Sequence, residues 1–229
     1  MKLLSDKELN WSDIVANNRM NRSRNASGVN SYEQELKLRP EKLLHAFIER
    51  NGKVKWLDLC CGEGRALIQA AEWLAEKKIQ DQAQLIGIDL VDQFHPVPEP
   101  VSCLRFEVMA LAGWMPSDRY DIITCIHGLH YLGDKLSLLA AACSSLTEDG
   151  VLMANLDLNS IRVEKDVKAQ YLRKVLKEHQ IDYKARSKMI FCKGPRQLTF
   201  QLDYLGADDR AGANYTGQPA VDSWYRMIK

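Results

Sequence analysis

A chain of 229 residues with 31 basic and 30 acidic side chains carries a formal net charge of +1. That length suits one α/β domain with a full core, and the even charge gives no overall pull toward nucleic acid or an anionic membrane. No apolar run approaches the ~20 residues of a membrane span, and the first residues, MKLLSDKELNW, lack the apolar core of a secretion signal. The expectation is a cytoplasmic protein with no membrane partner and no nucleic-acid partner. Cys60, Cys61, Cys103, Cys125, Cys143 and Cys192 show no metal-ligand spacing and read as small buried hydrophobes of a reducing compartment, so no metal is expected.

In chain order, Ser5 followed by Glu8 has the form of a capping box and predicts a helix reaching about Asn18. Arg19, Arg22 and Arg24 then stand among asparagines and small residues up to Ser31 and Tyr32, a composition that cannot build a core. It reads either as a solvated linker or as a lid in which arginine and Tyr32 supply groups for a carboxylate. Pro40 suits a first helical turn, and Leu43, Leu44, Phe47 and Ile48 form one apolar face before Asn51-Gly52 ends the helix. The chain is divided accordingly: residues 1–39 as an N-terminal helix and lid, 40–205 as the α/β domain, and 206–229 as a C-terminal flap on the same domain.

The stretch VKWLDLCCGEGRALIQAA, from Val54 to Ala71, organises the rest. A short apolar run ends in a glycine-bearing turn at Cys60 to Gly64, after which Ala66, Leu67, Ala70, Ala71 and Leu74 recur at helical spacing. A strand–turn–helix junction of this kind leaves unpaired N–H groups at a helix start for a polar ligand and suits a nucleotide-like cofactor. The third glycine of the dinucleotide fingerprint is absent, Leu67 standing in its place. Asp89 ends a second strand, QLIGID, 25 residues after Gly64, near the offset at which an acid meets a ribose diol.

LDLCCGEGRAL, IGID, YDIITCIHGLHYL and LTEDGVLMANLD, in that order and spacing, resemble the successive strand-end motifs of class I S-adenosylmethionine-dependent methyltransferases. The resemblance spans roughly Pro40 to Leu205. It implies S-adenosyl-L-methionine as cofactor and S-adenosyl-L-homocysteine as product, with Asp58, Cys60, Gly62 and Gly64 around the methionine part and Asp89 on the ribose. Cys60 replaces the family's usual first loop glycine. No acid after the third strand is available for the adenine, where Val108, Met109 and Ala110 offer backbone and apolar side chains; Met109 and Ala110 are the expected contacts.

Alternating prolines at 96, 98 and 100 forbid a crossover helix after the second strand. Strands are predicted over Val101–Met109, Asp121–Ile126 and Val151–Leu156, the last entered through a turn at Asp149-Gly150. His127, immediately after the fourth strand, is expected in the cofactor shell. His130 is the candidate general base, with a packing histidine as the alternative, and Trp114 belongs to the core or beside the adenine. Lys188–Cys192 and Gln197–Leu205 read as a terminal antiparallel hairpin, which a methyltransferase has and a dehydrogenase lacks. Tyr131, Asp157 and, from the flap, Tyr215 are candidates for the acceptor end; the flap is alternatively a strap over the hairpin or a homodimer contact.

The predicted fold is a doubly wound, seven-stranded, mostly parallel α/β sheet with a C-terminal antiparallel hairpin. The predicted activity is methyl transfer to an O or N atom of a small molecule by in-line displacement. The alternatives are a nicotinamide-dependent oxidoreductase and a non-catalytic cofactor-binding module or subunit.

Overall fold

The computed structural model describes residues 2–16, 23–164 and 166–228. Two short helices open it, α1 (Asp6–Leu9) and α2 (Asp13–Ala16). Ser5 and Glu8 cap α1 reciprocally as the sequence predicts, but the single long helix expected there is interrupted at residues 10–12. Helix α3 (Tyr32–Leu36) is capped by Ser31, whose Oγ accepts from the Gln34 N–H. Helix α4 (Pro40–Asn51) has proline in its first turn and stops at Gly52, φ +74°, a left-handed conformation in which glycine bears no Cβ penalty.

Next come β1 (Val54–Leu59), α5 (Arg65–Glu76), β2 (Ala83–Asp89), β3 (Leu104–Val108), β4 (Tyr120–Cys125) and α6 (Lys135–Ser144). The proline-rich connection between β2 and β3 contains no helix, as predicted. After them follow β5 (Leu146–Asn155), β6 (Ile161–Val163), α7 (Gln170–Glu178), β7 (Asp182–Lys184), β8 (Met189–Lys193), β9 (Leu202–Asp208) and β10 (Asp222–Met227).

The central sheet has seven strands in the order β3-β2-β1-β4-β5-β8-β7. Strands β1 to β5 run parallel and β8 runs antiparallel to both its neighbours. The doubly wound α/β fold is therefore as predicted. Apolar side chains fill both faces, one cluster holding Leu57, Ile123, Leu139 and Leu152 and the other Trp56, Leu67, Leu85 and Ile122. Such near-continuous apolar strands are what a parallel sheet covered on both sides requires.

Two local expectations are corrected. The hairpin partner of β8 is β7, not Gln197–Leu205; that later run contributes to β9 of a second, three-stranded sheet ordered β6-β10-β9. Short, half-polar β7 carries little apolar signal, which hid it. Asp149-Gly150 is no turn between elements: Tyr120 faces Leu146 and Ile122 faces Val151, so residues 147–150 bulge out within β5. The last residues form β10, flanked by β6 and β9 as backbone partners. Lys135, fully buried, fastens this sheet to the start of α6 by donating to Leu132 O, Val221 O and Ser223 Oγ.

Candidate active site

Strand order reverses direction between β1 and β4, the position at which open α/β sheets bind ligands. There the C-terminal ends of β1, β2 and β4 part around a cleft of about 650 Å³, measured out to its mouth. One wall is the turn after β1. Cys60, Gly62 and Gly64 all have left-handed backbone, with φ of +58°, +62° and +74°. Gly128 leaves room for the Cys60 side chain: a Cβ on Gly128 would stand 2.4 Å from Cys60 Cβ. A Cβ on Gly64 would lie 2.2 Å from the Phe106 ring, so α5 can start this close to β3 only with glycine.

Asp89 ends β2 beside that turn, and its carboxylate is fixed by N–H groups of Gly62 (2.9 Å to Oδ2) and Val91 (3.2 Å to Oδ1). Met109, Ala110, Leu111 and Leu90 make the adjoining wall, while Trp114 packs against the core. Asp58 does not reach the cleft lining. It is 1 % exposed and accepts from Tyr32 Oη (2.7 Å) and Thr124 Oγ1 (2.6 Å), and burial pushes its pKa up to about 7. Tyr32 is thus a buried pin between the N-terminal segment and β1, not a group on the surface of a lid.

The opposite end is built at β4 and β5. His127 has φ +61°, and its N–H donates to Asn155 Oδ1 at 3.1 Å. Its ring Nε2 lies 2.9 Å from Glu35 Oε1. Asn155 Nδ2 donates to the other Glu35 oxygen (3.3 Å), and Arg24 Nη1 stands 3.7 Å away. The hydrogen bond to His127 leads the influences that hold the Glu35 carboxyl below its ordinary value.

His130, 1 % exposed, has no partner for either ring nitrogen among the described residues, and His127 Nδ1 has none either. Burial drives His130 down to about 3, which keeps its imidazole neutral. Its ring centre is 5.5 Å from that of His127 and 5.4 Å from that of Tyr215. Tyr131 Oη donates to Gln218 at 3.3 Å, Asp157 pairs with Lys188 at 3.3 Å, and Lys188 Nζ lies 6.0 Å above the Tyr215 ring. The structure therefore gathers His127, His130, Tyr131, Asp157 and Tyr215 at one end; Arg22 lies outside the described residues.

A family described as a methyltransferase domain matches residues 31–187, more than half of the chain. The chain belongs to this family of class I S-adenosylmethionine-dependent methyltransferases. A ubiquinone biosynthesis O-methyltransferase from Leptothrix cholodnii is 31% identical over 106 residues, which cover 42% of this chain and 41% of that protein. The match thus spans about two-fifths of the length of the curated relative. Among solved structures, the plantazolicin methyltransferase BpumL, in complex with a pentazolic desmethylPZN analog and SAH, is similar at 18% identity, 56% and 52% coverage of this chain and of that one, and a TM-score of 0.38. YjhP from E. coli is similar at 20% identity, 51% and 49% coverage and a TM-score of 0.37.

The methyltransferase's own geometry fits the family's cofactor. Cys60 and Gly62 of the turn line the cleft, and beside them the Asp89 carboxylate is pre-fixed by the Gly62 N–H. Met109 and Ala110 could meet an adenine by backbone and apolar contact, with no acid required.

Sequence reading missed Asn10, Val15 and Leu132 on the cleft wall, and Glu35. Asn10 follows one four-residue helix and Val15 sits in another, both too short for a periodic signal, and nothing near Glu35 in the sequence announces a partner 92 positions away.

Proposed function

We propose that this methyltransferase moves the methyl group of S-adenosylmethionine to an oxygen or nitrogen atom of a small molecule, with a hydroxyl oxygen as the acceptor the site favours. The carrying observation is how charge is disposed at the β4–β5 end. Glu35 is matched by Arg24 and Asp157 by Lys188, and three buried ring nitrogens, His127 Nδ1 and both of His130, have no partner among the described residues. Unpartnered imidazole nitrogens suit a neutral hydroxyl, which can donate to one nitrogen and accept from another. They offer an ammonium or carboxylate no compensating charge. Apolar walls at Val15, Leu111 and Leu132 favour an acceptor with an apolar body. The printed name of the Leptothrix relative, an O-methyltransferase, supports the same reading.

When bound, S-adenosylmethionine supplies an electrophilic methyl group on a sulfonium. Cys60, Gly62, Gly64 and Asp89 would hold and orient it. His130 would hold the acceptor hydroxyl on the far side, with Tyr131, Asp157 and Tyr215 shaping that end. Alignment of this kind is worth up to about 7–11 kcal/mol of barrier in well-oriented systems. The segment 23–36 would act as lid, since Ser23 bonds Glu63 and the Ala26 N–H bonds Gln69 across the cleft loop and α5. Six free thiols and the absence of any helix long and apolar enough to cross a membrane among the described residues are in keeping with a cytoplasmic setting.

The test is transfer of labelled methyl from S-adenosylmethionine to matched phenols, aliphatic alcohols, carboxylic acids and amines. Label on hydroxyl acceptors is expected. Label on amines alone, from a protein that binds S-adenosylhomocysteine, would refute the oxygen assignment.

A further inference from the structure

We infer that the general base of the reaction is His127, oriented by Glu35 of the N-terminal segment, so that folding this segment over the cleft assembles the base. The inference rests on the hydroxyl-transfer reading above and adds to it the residue that removes the proton.

Three observations converge on His127. It lines the same cleft as Cys60, Gly62 and Asp89. Glu35 Oε1 is 2.9 Å from Nε2; a carboxylate only accepts, so it holds the proton on Nε2 and leaves the Nδ1 lone pair available. That Nδ1 is buried and has no partner among the described residues, in a side chain 4 % exposed. A carboxylate behind an imidazole fixes its tautomer and stabilises the imidazolium formed when it takes a proton.

The backbone at this position is fixed as well. His127 occupies left-handed backbone, a conformation disfavoured for a residue with a Cβ, and Asn155 Oδ1 takes up its N–H. The same Asn155 donates to Glu35, so one amide sets both members of the pair. The neighbouring His130 is suited to hydrogen bonding but poorly to storing a proton, since nothing charged backs either of its nitrogens. The titratable and charged groups facing His127 are Glu35 from α3, Arg24 from the segment before it, His130 from the following turn, and Tyr215, over which Lys188 lies.

In the step itself the acceptor oxygen forms its bond to the methyl carbon as the carbon–sulfur bond breaks. The electron pair of that bond leaves with sulfur, which becomes the neutral thioether. The hydroxyl proton passes to His127 Nδ1, and the imidazolium charge is balanced by Glu35. No oxidant or reductant is needed. His127 is the catalytic residue and Glu35 a positioning residue.

The experiment compares wild type, His127→Asn, Glu35→Gln and Glu35→Asp in single-turnover methylation of a series of substituted catechols of graded acidity, including 4-nitrocatechol. Binding of S-adenosylhomocysteine is titrated in parallel. Removing the base should slow transfer about 100-fold or more for weakly acidic catechols and far less for 4-nitrocatechol, which sheds its proton unaided. Glu35→Gln should show the same dependence on acidity at smaller size, and Glu35→Asp should restore part of the rate; affinity for S-adenosylhomocysteine should hold. An equal loss across the series, or no loss in His127→Asn, overturns the inference. So does a wild-type enzyme that methylates no catechol. Failure of wild type to bind S-adenosylhomocysteine would instead remove the cofactor reading beneath it.

Discussion

One end of the cleft is made from two short runs of chain, the turn from Cys60 to Gly64 and Asp89, whereas the cluster around His127 at the other end draws on Arg24, Glu35, His130, Asn155, Lys188 and Tyr215. The first end works through backbone: left-handed turns, amides fixing a carboxylate, and an absent Cβ at Gly64 and Gly128. The second works through side chains brought together by the sheet order and by a lid. Local geometry of the first kind is set by a few neighbouring residues and leaves a motif. Long-range assembly leaves none, and is the part that can differ between enzymes sharing one cofactor.

The two ends also differ in the buried group each holds in neutral form, and this gives opposite dependences on pH. His130 is driven down to about 3 by burial, so the unfolded chain binds its proton first. Stability from this group is full above the unfolded value of about 6.5 and declines as pH falls from there toward 3, by about 5 kcal/mol. His130→Phe should remove that decline in urea unfolding measured from pH 4 to 7.

Asp58 has the reverse sign. Its pKa is raised to about 7, so the folded chain keeps a proton that the unfolded chain gives up near 4. Its contribution is full below about 4 and lost as pH rises to 7, by about 4 kcal/mol. Asp58→Asn should abolish this loss. In wild type the two slopes oppose one another over pH 4 to 6.5, and the variants should expose them separately. Two variants with parallel pH profiles would dissolve the contrast.

The next effect is on affinity. Asp89→Ala removes the acceptor for a ribose diol and releases the Gly62 N–H, and should weaken S-adenosylhomocysteine by about 2–3 kcal/mol, roughly 50-fold, in calorimetry. Glu35→Gln should leave that affinity within about twofold, since Glu35 belongs to the other end. The smallest effect is expected at the lid's cap. Ser31, fully buried, receives the Gln34 N–H and donates to Gly28 O, so Ser31→Ala should cost about 1 kcal/mol, with faster proteolysis within 23–36.

The same contrast explains what could be read in advance. Strand β1, its turn and Asp89 declared themselves by apolar run, glycines and offset, and the proline-rich link after β2 correctly ruled out a helix. Strand β7, three residues long with one partly buried side chain, had no period to detect, and its place in the sheet went to a later, more apolar run. The family resemblance puts Asp58 beside the methionine part of the cofactor, yet Asp58 stays off the cleft lining and accepts instead from Tyr32 and Thr124. Sequence offers no sign of that, since Tyr32 lies in a segment with the composition of a linker. His127 was assigned to the cofactor shell by position alone, and the role proposed for its ring depends on Glu35, which only the folded chain brings near.

The most direct test of the account is calorimetric titration of the wild-type protein with S-adenosylhomocysteine, with NADH as the control. The account predicts saturable one-to-one binding of S-adenosylhomocysteine and no heat from NADH. Binding of NADH, or no binding of S-adenosylhomocysteine, would contradict it.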